Sequence, residues 1–229
     1  TRWILRGAAW LIERHAPNFH WIYVPHLDYA SQKHGPNSPQ AKVALAELDR
    51  ELAIFAEFVA TSRIANDAVF LVAGEYAMTD VTGVVYPNRV LREAGLLAVE
   101  ERNGAEYLEF ARSPAFAMVD HQFAHVFVRQ EGGKATRQVI IARLVELFRN
   151  VPGIAEVHAG EERAKIGMTH KRCGDVVLVC DDTHWLAYYW WLDDAKAPPF
   201  ARTVDIHRKP GYDPVELFLD PTIPLIKAK

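Results

Sequence analysis

Two stretches carry side chains able to do chemistry, and each follows an apolar run. Residues 24–36, VPHLDYASQKHGP, offer His26, Asp28, Tyr29, Gln32 and His34 after HWIYV, and residues 74–80, GEYAMTD, offer Glu75 and Tyr76 after AVFLVA. Carboxylates, imidazoles and a phenol are ligand types for hard or borderline divalent cations such as zinc, manganese, iron or calcium. A pair of such ions would stabilise the attacking and leaving oxygens of a displacement at phosphorus. Plainer readings stand beside these. Asp28, with Gln32 one helical turn on, also suits an acid that caps or braces a loop. Glu75, placed directly after a buried strand, must find partners or a cation, because an unpaired buried charge is costly.

Two further groupings contain histidine. Asp120, His121 and His125 form DHxxxH, which would make a metal pair on one face of a helix but serves here as bracing on a strand. His207 follows Asp205 and precedes Arg208 and Lys209. A carboxylate that close can fix the imidazole tautomer for metal binding, or can simply form an ion pair in a surface turn.

The elements that would position these groups follow an α/β pattern. Residues 2–14 have apolar residues at helical spacing, and residues 20–24 read as a strand. Ser38-Pro39 is a helix entry, with serine as cap and proline at the first helical position. The helix from there to about residue 62 is expected to bury Val43, Leu48, Leu52, Phe55 and Val59. Residues 68–73 then read as a strand covered on both faces, since parallel strands lose polar alternation. A right-handed crossover would make the two strands parallel, so that loops 25–36 and 74–80 open on one sheet edge and bring Asp28 near Glu75.

Further along, residues 87–95 form a short helix stopped by Gly95, and Asn103-Gly104 is a hairpin turn. A strand-rich stretch, AFAMVDHQFAHVFV, precedes a helix over 134–150 and a short strand near 153–160. Residues 175–180 and 185–190 read as a strand pair. The expected fold is a three-layer αβα domain with a mostly parallel sheet, carrying an α+β insertion over residues 85–170.

Composition bounds the partners. Of 229 residues, half are apolar and 24% are charged, with a net charge of −3. That profile is a folded chain with no basic field for nucleic acid. Its two cysteines, Cys173 and Cys180, are too few for a disulfide scaffold, which makes a reducing, cytoplasmic setting the expectation. No apolar run approaches the roughly 18 to 20 residues that span a bilayer, so no membrane partner is expected.

The combination of DYASQKHGP, AGEYAMTDV, PNRVLREAGLL and VDIHRKPGYDPVELF resembles the type I phosphodiesterase/nucleotide pyrophosphatase family of the alkaline phosphatase superfamily, over nearly the whole chain. The family pattern Asp-x-x-x-His-x-x-Gly-Pro is met by Asp28 and Gly35-Pro36, with Gln32 in the histidine place. Its Ser-Asp-His-Gly-Met strand end corresponds to Gly74-Glu75-Tyr76-Ala77-Met78. Its histidine ahead of Gly-Tyr-Asp is replaced by Pro210, with His207 three residues earlier and Gly211-Tyr212-Asp213 intact.

The resemblance implies a metal-dependent hydrolase of phosphate esters, most naturally phosphodiesters or nucleotide pyrophosphates. It would use two divalent ions, zinc or, with these variant ligands, manganese or iron. Asp28, Glu75, His207, Tyr76 and Gln32 would be the metal positions, and His26, Tyr29 and Tyr212 the contacts to a small-molecule phosphate ester. No catalytic nucleophile is assigned within these residues: the resemblance places it in an N-terminal remainder of the same polypeptide. Residues 1–229 would then be the C-terminal portion of one domain, with 85–170 as its cap. The alternative is a non-catalytic binding domain derived from the same fold.

Overall fold

The computed structural model describes residues 1–130 and 132–202, and the chain divides into one unit over Thr1–Asp80 and a second from Val81 onward. The first unit is helical. Helix α1, Arg2–His15, buries Leu5, Ala8 and Ile12 and ends where Ala16 turns left-handed, φ 42°. Helix α2 covers His26–His34 and helix α3 Pro39–Thr61. The Ser38 hydroxyl accepts the Ala41 N–H at 3.1 Å, so α3 begins as its capping signal predicts.

The α3 stripe is displaced from expectation at one end. Ala41, Ala44, Phe55 and Val59 are buried, whereas Val43 is exposed. Leu5, Ala8 and Ile12 of α1 close over Phe55 and Val59 as the core of this unit. Arg63 donates to the Ile12 carbonyl at 3.1 Å, an acceptor it shares with the Ala16 N–H at the end of α1.

Three expectations for this unit are corrected. Residues 26–34 are helical and not a loop: Asp28 lies in the first turn and Lys33 and His34 in the last, which suits the helix dipole, and Gly35 ends it. Residues 20–24 and 68–73 are extended but belong to no sheet. Ile22, Val24 and Ala68 lean on the helical core, and Phe70 meets Phe55 edge-on at 6.2 Å. Trp21 and Tyr23 face outward, 84% and 58% exposed, and residues 69–73 are exposed throughout, Phe70 at 54% and Val72 at 84%. A continuous apolar run signals a need for cover on both faces; neighbouring elements must supply it, and here residues 69–73 are left largely exposed.

The second unit holds all the sheets among the described residues. Strand β1, Gly83–Val85, leads into helix α4, Pro87–Glu93, which Gly95 (φ +70°) follows at its end. Strands β2, Val99–Arg102, and β3, Ala105–Leu108, form an antiparallel hairpin. Asn103 and Gly104 both take positive φ at its turn, as the Asn-Gly pair predicts. Strands β4, Ala115–Asp120, and β5, Phe123–Val128, form a second hairpin, followed by helix α5, Gly133–Arg149. Strands β6, Ile154–Ala159, β7, Val176–Cys180, and β8, His184–Leu186, complete the unit.

The main sheet has the order β4-β5-β7-β6 and is antiparallel throughout. Among the described residues only β1 and β8 pair in parallel. The expected mostly parallel sheet is therefore not what these residues form. The strands predicted to pair near 175–190 also separate: β7 lies between β5 and β6, while β8 joins β1. The aromatic run that continues from β8 packs as a cluster, with Tyr189 stacked on Trp191 at 4.3 Å. Buried Asn88 of α4 ties this run to the sheet, donating to the carbonyls of Ala117 and Tyr188 and accepting from the Ala117 N–H at 2.8 Å. No helix among the described residues is long and apolar enough to cross a membrane.

Candidate functional site

The expected neighbourhood of residues 25–36 and 74–80 is present, built from a helix and an extended segment. Asp28 lies half-buried in the first turn of α2, near enough to the Tyr76 phenol for its carboxylate to act on it. A second tie closes the far end of the same contact. Asn37 donates through Nδ2 to Asp80 Oδ2 at 2.8 Å, and a Cβ built on Gly35 would lie 3.1 Å from Asp80 Oδ1. Gly35, at φ +86°, is required twice, once for its left-handed backbone and once for this approach. Gly35→Ala is expected to cost about 1–2 kcal/mol, read as a lowered urea midpoint, and to loosen the 74–80 segment, read as faster amide exchange there.

Loss of solvent around the Tyr76 hydroxyl, its bond to Asp28 and the Asp28 charge push its pKa up to about 12, with Tyr23 and Glu75 adding to the same effect. The phenol is thus protonated across the physiological range even though 54% of the residue's surface is exposed. Glu75, also exposed, precedes it on the segment. Gln32 is exposed on α2, one turn beyond Asp28. His26 opens α2 with Nε2 3.3 Å from Glu47 Oε2 on α3, close enough for ion pairing but without hydrogen-bond alignment. Tyr29, on the same helix, is largely exposed. His207 and Tyr212 lie outside the described residues.

The pairing of Asn37 with Asp80 was invisible in sequence. Neither residue belongs to a recognisable motif, and only the Gly35-Pro36 turn between α2 and α3 brings them together.

Two carboxylates and a neutral phenol are oxygen donors, which fit a hard or borderline divalent cation in kind. Among the described residues no three His, Cys, Asp or Glu side chains converge as a fuller shell. DHxxxH does not form one. His121 sits in the β4–β5 turn with φ 51°, its Nδ1 2.8 Å from Asp120 Oδ1. His125, on β5, accepts the Gly174 N–H at 3.2 Å, and burial lowers its pKa. The two imidazoles brace different loops, because the turn interrupts the alternation that would have put them on one face.

Comparison with known proteins bears on fold and family. A search of curated proteins finds no match. Among solved structures, phosphonoacetate hydrolase from Sinorhizobium meliloti 1021 in complex with phosphonoformate matches with 18% identity and a TM-score of 0.55. The match covers 82% of this chain and 42% of that one. The same enzyme in complex with phosphonoacetate matches with 16% identity and a TM-score of 0.50, over the same shares of both chains. At such identity the likeness is one of fold, and this chain spans less than half the length of the solved structures it matches. The family described as type I phosphodiesterase / nucleotide pyrophosphatase matches residues 2–213, and the chain belongs to that family.

Proposed function

We propose that this chain provides the carboxylate side of a metal-dependent active site that hydrolyses phosphate esters, with phosphodiesters and nucleotide pyrophosphates as the substrate class. The observation that carries this reading is the contact between Asp28 and Tyr76, which joins the two family motifs of the first unit in one place. Asp28 and Glu75 would hold the cation. The cation's contribution, when bound, is to polarise a phosphoryl oxygen and offset the charge that builds on it. Tyr76, carrying its proton, is a hydrogen-bond donor beside that position. Tyr29, exposed on α2 next to Asp28, is suited to contact the ester group of a substrate. The phosphonoformate and phosphonoacetate bound by the fold neighbour belong to the same class of phosphorus oxyanion.

In this reading the nucleophile would come from a further part of the same polypeptide and not from residues 1–229. The open faces of residues 20–24 and 68–73 support that arrangement. Both segments are rich in apolar residues and lie outside any sheet, with Trp21, Tyr23 and residues 69–73 exposed. Further strands of the same protein laid along them would bury those faces and complete a sheet. Residues 85–170 would then act as the cap that shapes substrate choice.

The test is hydrolysis of a chromogenic phosphodiester by the full-length polypeptide, together with its metal content. Glu75→Ala is expected to lower both bound metal and turnover by about 100-fold or more, since even outer-shell substitutions cost roughly 10- to 100-fold. Unchanged metal occupancy would reject Glu75 as a ligand. A protein with neither metal nor turnover is a binding domain.

A further inference from the structure

The β4–β5 hairpin of the second unit has two unlike faces. Ala115, Ala117, Ala124, Val126 and Val128 are buried with Leu144 and Phe148 of α5, while the register places Phe116 beside Phe127, Met118 beside His125 and Asp120 beside Phe123 on the opposite face. There Phe116 stacks on Phe127 with centroids 5.4 Å apart, and Phe110, from the short helix Phe110–Arg112, meets Phe116 edge-on at 5.0 Å. Phe110 and Met118 are each more than half exposed. Over β7 the same face is closed, since Val177, the partner of His125, is fully buried and residues 160–166 pack against β6 and β7. Over β4 and β5 its aromatic residues keep part of their surface in solvent.

The two ends of this face carry opposite charge. Where β4 begins and β5 finishes, Arg112 and Arg129 line a cleft of about 190 Å³ with Pro114 and Ile140. At the other end the exposed Asp120 closes β4, and the Gln122 amide reaches the carbonyls of Asp181 and His184, which brings Asp181 and Asp182 there too. His121 and His184 each lie 2.8 Å from one of these carboxylates, Asp120 and Asp181, and the carboxylates outnumber them. A second copy turned about a two-fold axis lying across the strands reverses their direction, and so sets the arginine end of one chain over the carboxylate end of the other. An axis along the strands would set like charges together, at a cost. Met118 lies midway between the ends, where the crossing axis brings the two copies of it together.

We propose that this face is a self-association surface: two copies of the chain pack β4–β5 on β4–β5 with strands antiparallel, Met118 and the phenylalanines at the centre, and Asp120 of each copy at the Arg112–Arg129 cleft of the other. The open face is only two strands wide, smaller than a standard interface, so the dimer is weak, with a Kd of about 10 µM.

The experiment is sedimentation equilibrium of the full-length protein over about 1 to 200 µM, a range that brackets this Kd, with circular dichroism to establish that each variant is folded. Met118→Asp is expected to weaken dimerisation by about 100-fold, because it buries two like charges at the axis. Asp120→Arg and Arg112→Glu are each expected to weaken it by about tenfold, and more at low salt, where the charges are less screened. The variant carrying both changes is expected to be no weaker than either alone, since the exchanged pair again opposes; independent positions would make it weaker by about 100-fold. A wild type that stays monomeric throughout overturns the proposal, whatever else covers the face. A dimer that Met118→Asp leaves intact overturns it as well, and an additive loss in the combined variant rejects the antiparallel pairing of the copies. None of these outcomes bears on the hydrolase reading.

Discussion

Glu106→Ala is expected to destabilise the second unit by about 3–5 kcal/mol, the cost of leaving one member of a buried ion pair uncompensated. Glu106, on β3, is only 6% exposed. Its two carboxylate oxygens take both arms of the Arg92 guanidinium from α4, at 2.5 and 2.8 Å. Arg92 also donates to the Trp190 carbonyl at 3.2 Å, and the Trp190 indole donates to the Glu106 carbonyl at 3.0 Å. A helix, a hairpin and the aromatic run thus share one charge pair. Truncating the acid leaves the largely buried guanidinium with the Trp190 carbonyl in place of a carboxylate. Replacing both partners with leucine is expected to recover most of the loss, because the desolvation cost disappears with the charges.

The same pair makes stability depend on pH. The hydrogen bond from Arg92 holds the Glu106 carboxyl below its ordinary value of 4.5, with burial working against it and the Arg92 charge adding to it. A carboxyl whose folded value lies below its unfolded one stabilises fully above the unfolded value and loses that contribution as pH falls towards the folded one. Urea midpoints of the wild type should therefore fall below about pH 4.5 more steeply than those of the double leucine variant. Equal slopes for the two proteins would show that Glu106 does not carry the effect.

The second large effect is expected from Phe148→Ala, at about 3–5 kcal/mol. Phe148 and Leu144 of α5 are wholly buried against the inner face of the main sheet, where Ala124, Val126, Val176 and Leu178 are equally enclosed. The cost has two parts, the apolar surface no longer removed from water and the cavity left where the ring had been. Small neighbours such as Ala124 cannot reach in to fill that space. Phe148→Leu, which keeps most of the volume, is expected to lose about 1–1.5 kcal/mol. Chemical denaturation of both variants checks the ranking; a Phe148→Ala loss below that of Phe148→Leu would mean the helix does not pack as described.

The site was only partly legible from the residues. Asp28 and Glu75 stood out as carboxylates following apolar runs, and the Asp-x-x-x-x-x-x-Gly-Pro spacing tied Asp28 to a family. That Asp28 would meet the hydroxyl of Tyr76 could not be read there, because residues 48 positions apart are brought together by a helix, a turn and an extended segment acting jointly. The Asn37 to Asp80 tie was hidden for the same reason.

Local signals by themselves determined much of the rest. Ser38-Pro39 starts α3, Pro87 and Gly95 bound α4, Asn103-Gly104 turns the β2–β3 hairpin, and apolar periodicity marks α1 and α5. Each works over a few residues, through a capping hydroxyl, a constrained φ or one face of a helix, and needs no distant partner. Strand pairing has no such independence. Residues 68–73 have the composition of a buried parallel strand, yet β structure exists only as a ladder, and the strand beside it decides whether it forms. Tertiary structure therefore settled the antiparallel order β4-β5-β7-β6, left 20–24 and 68–73 outside any sheet with much of their apolar surface exposed, and placed Tyr76 beside Asp28.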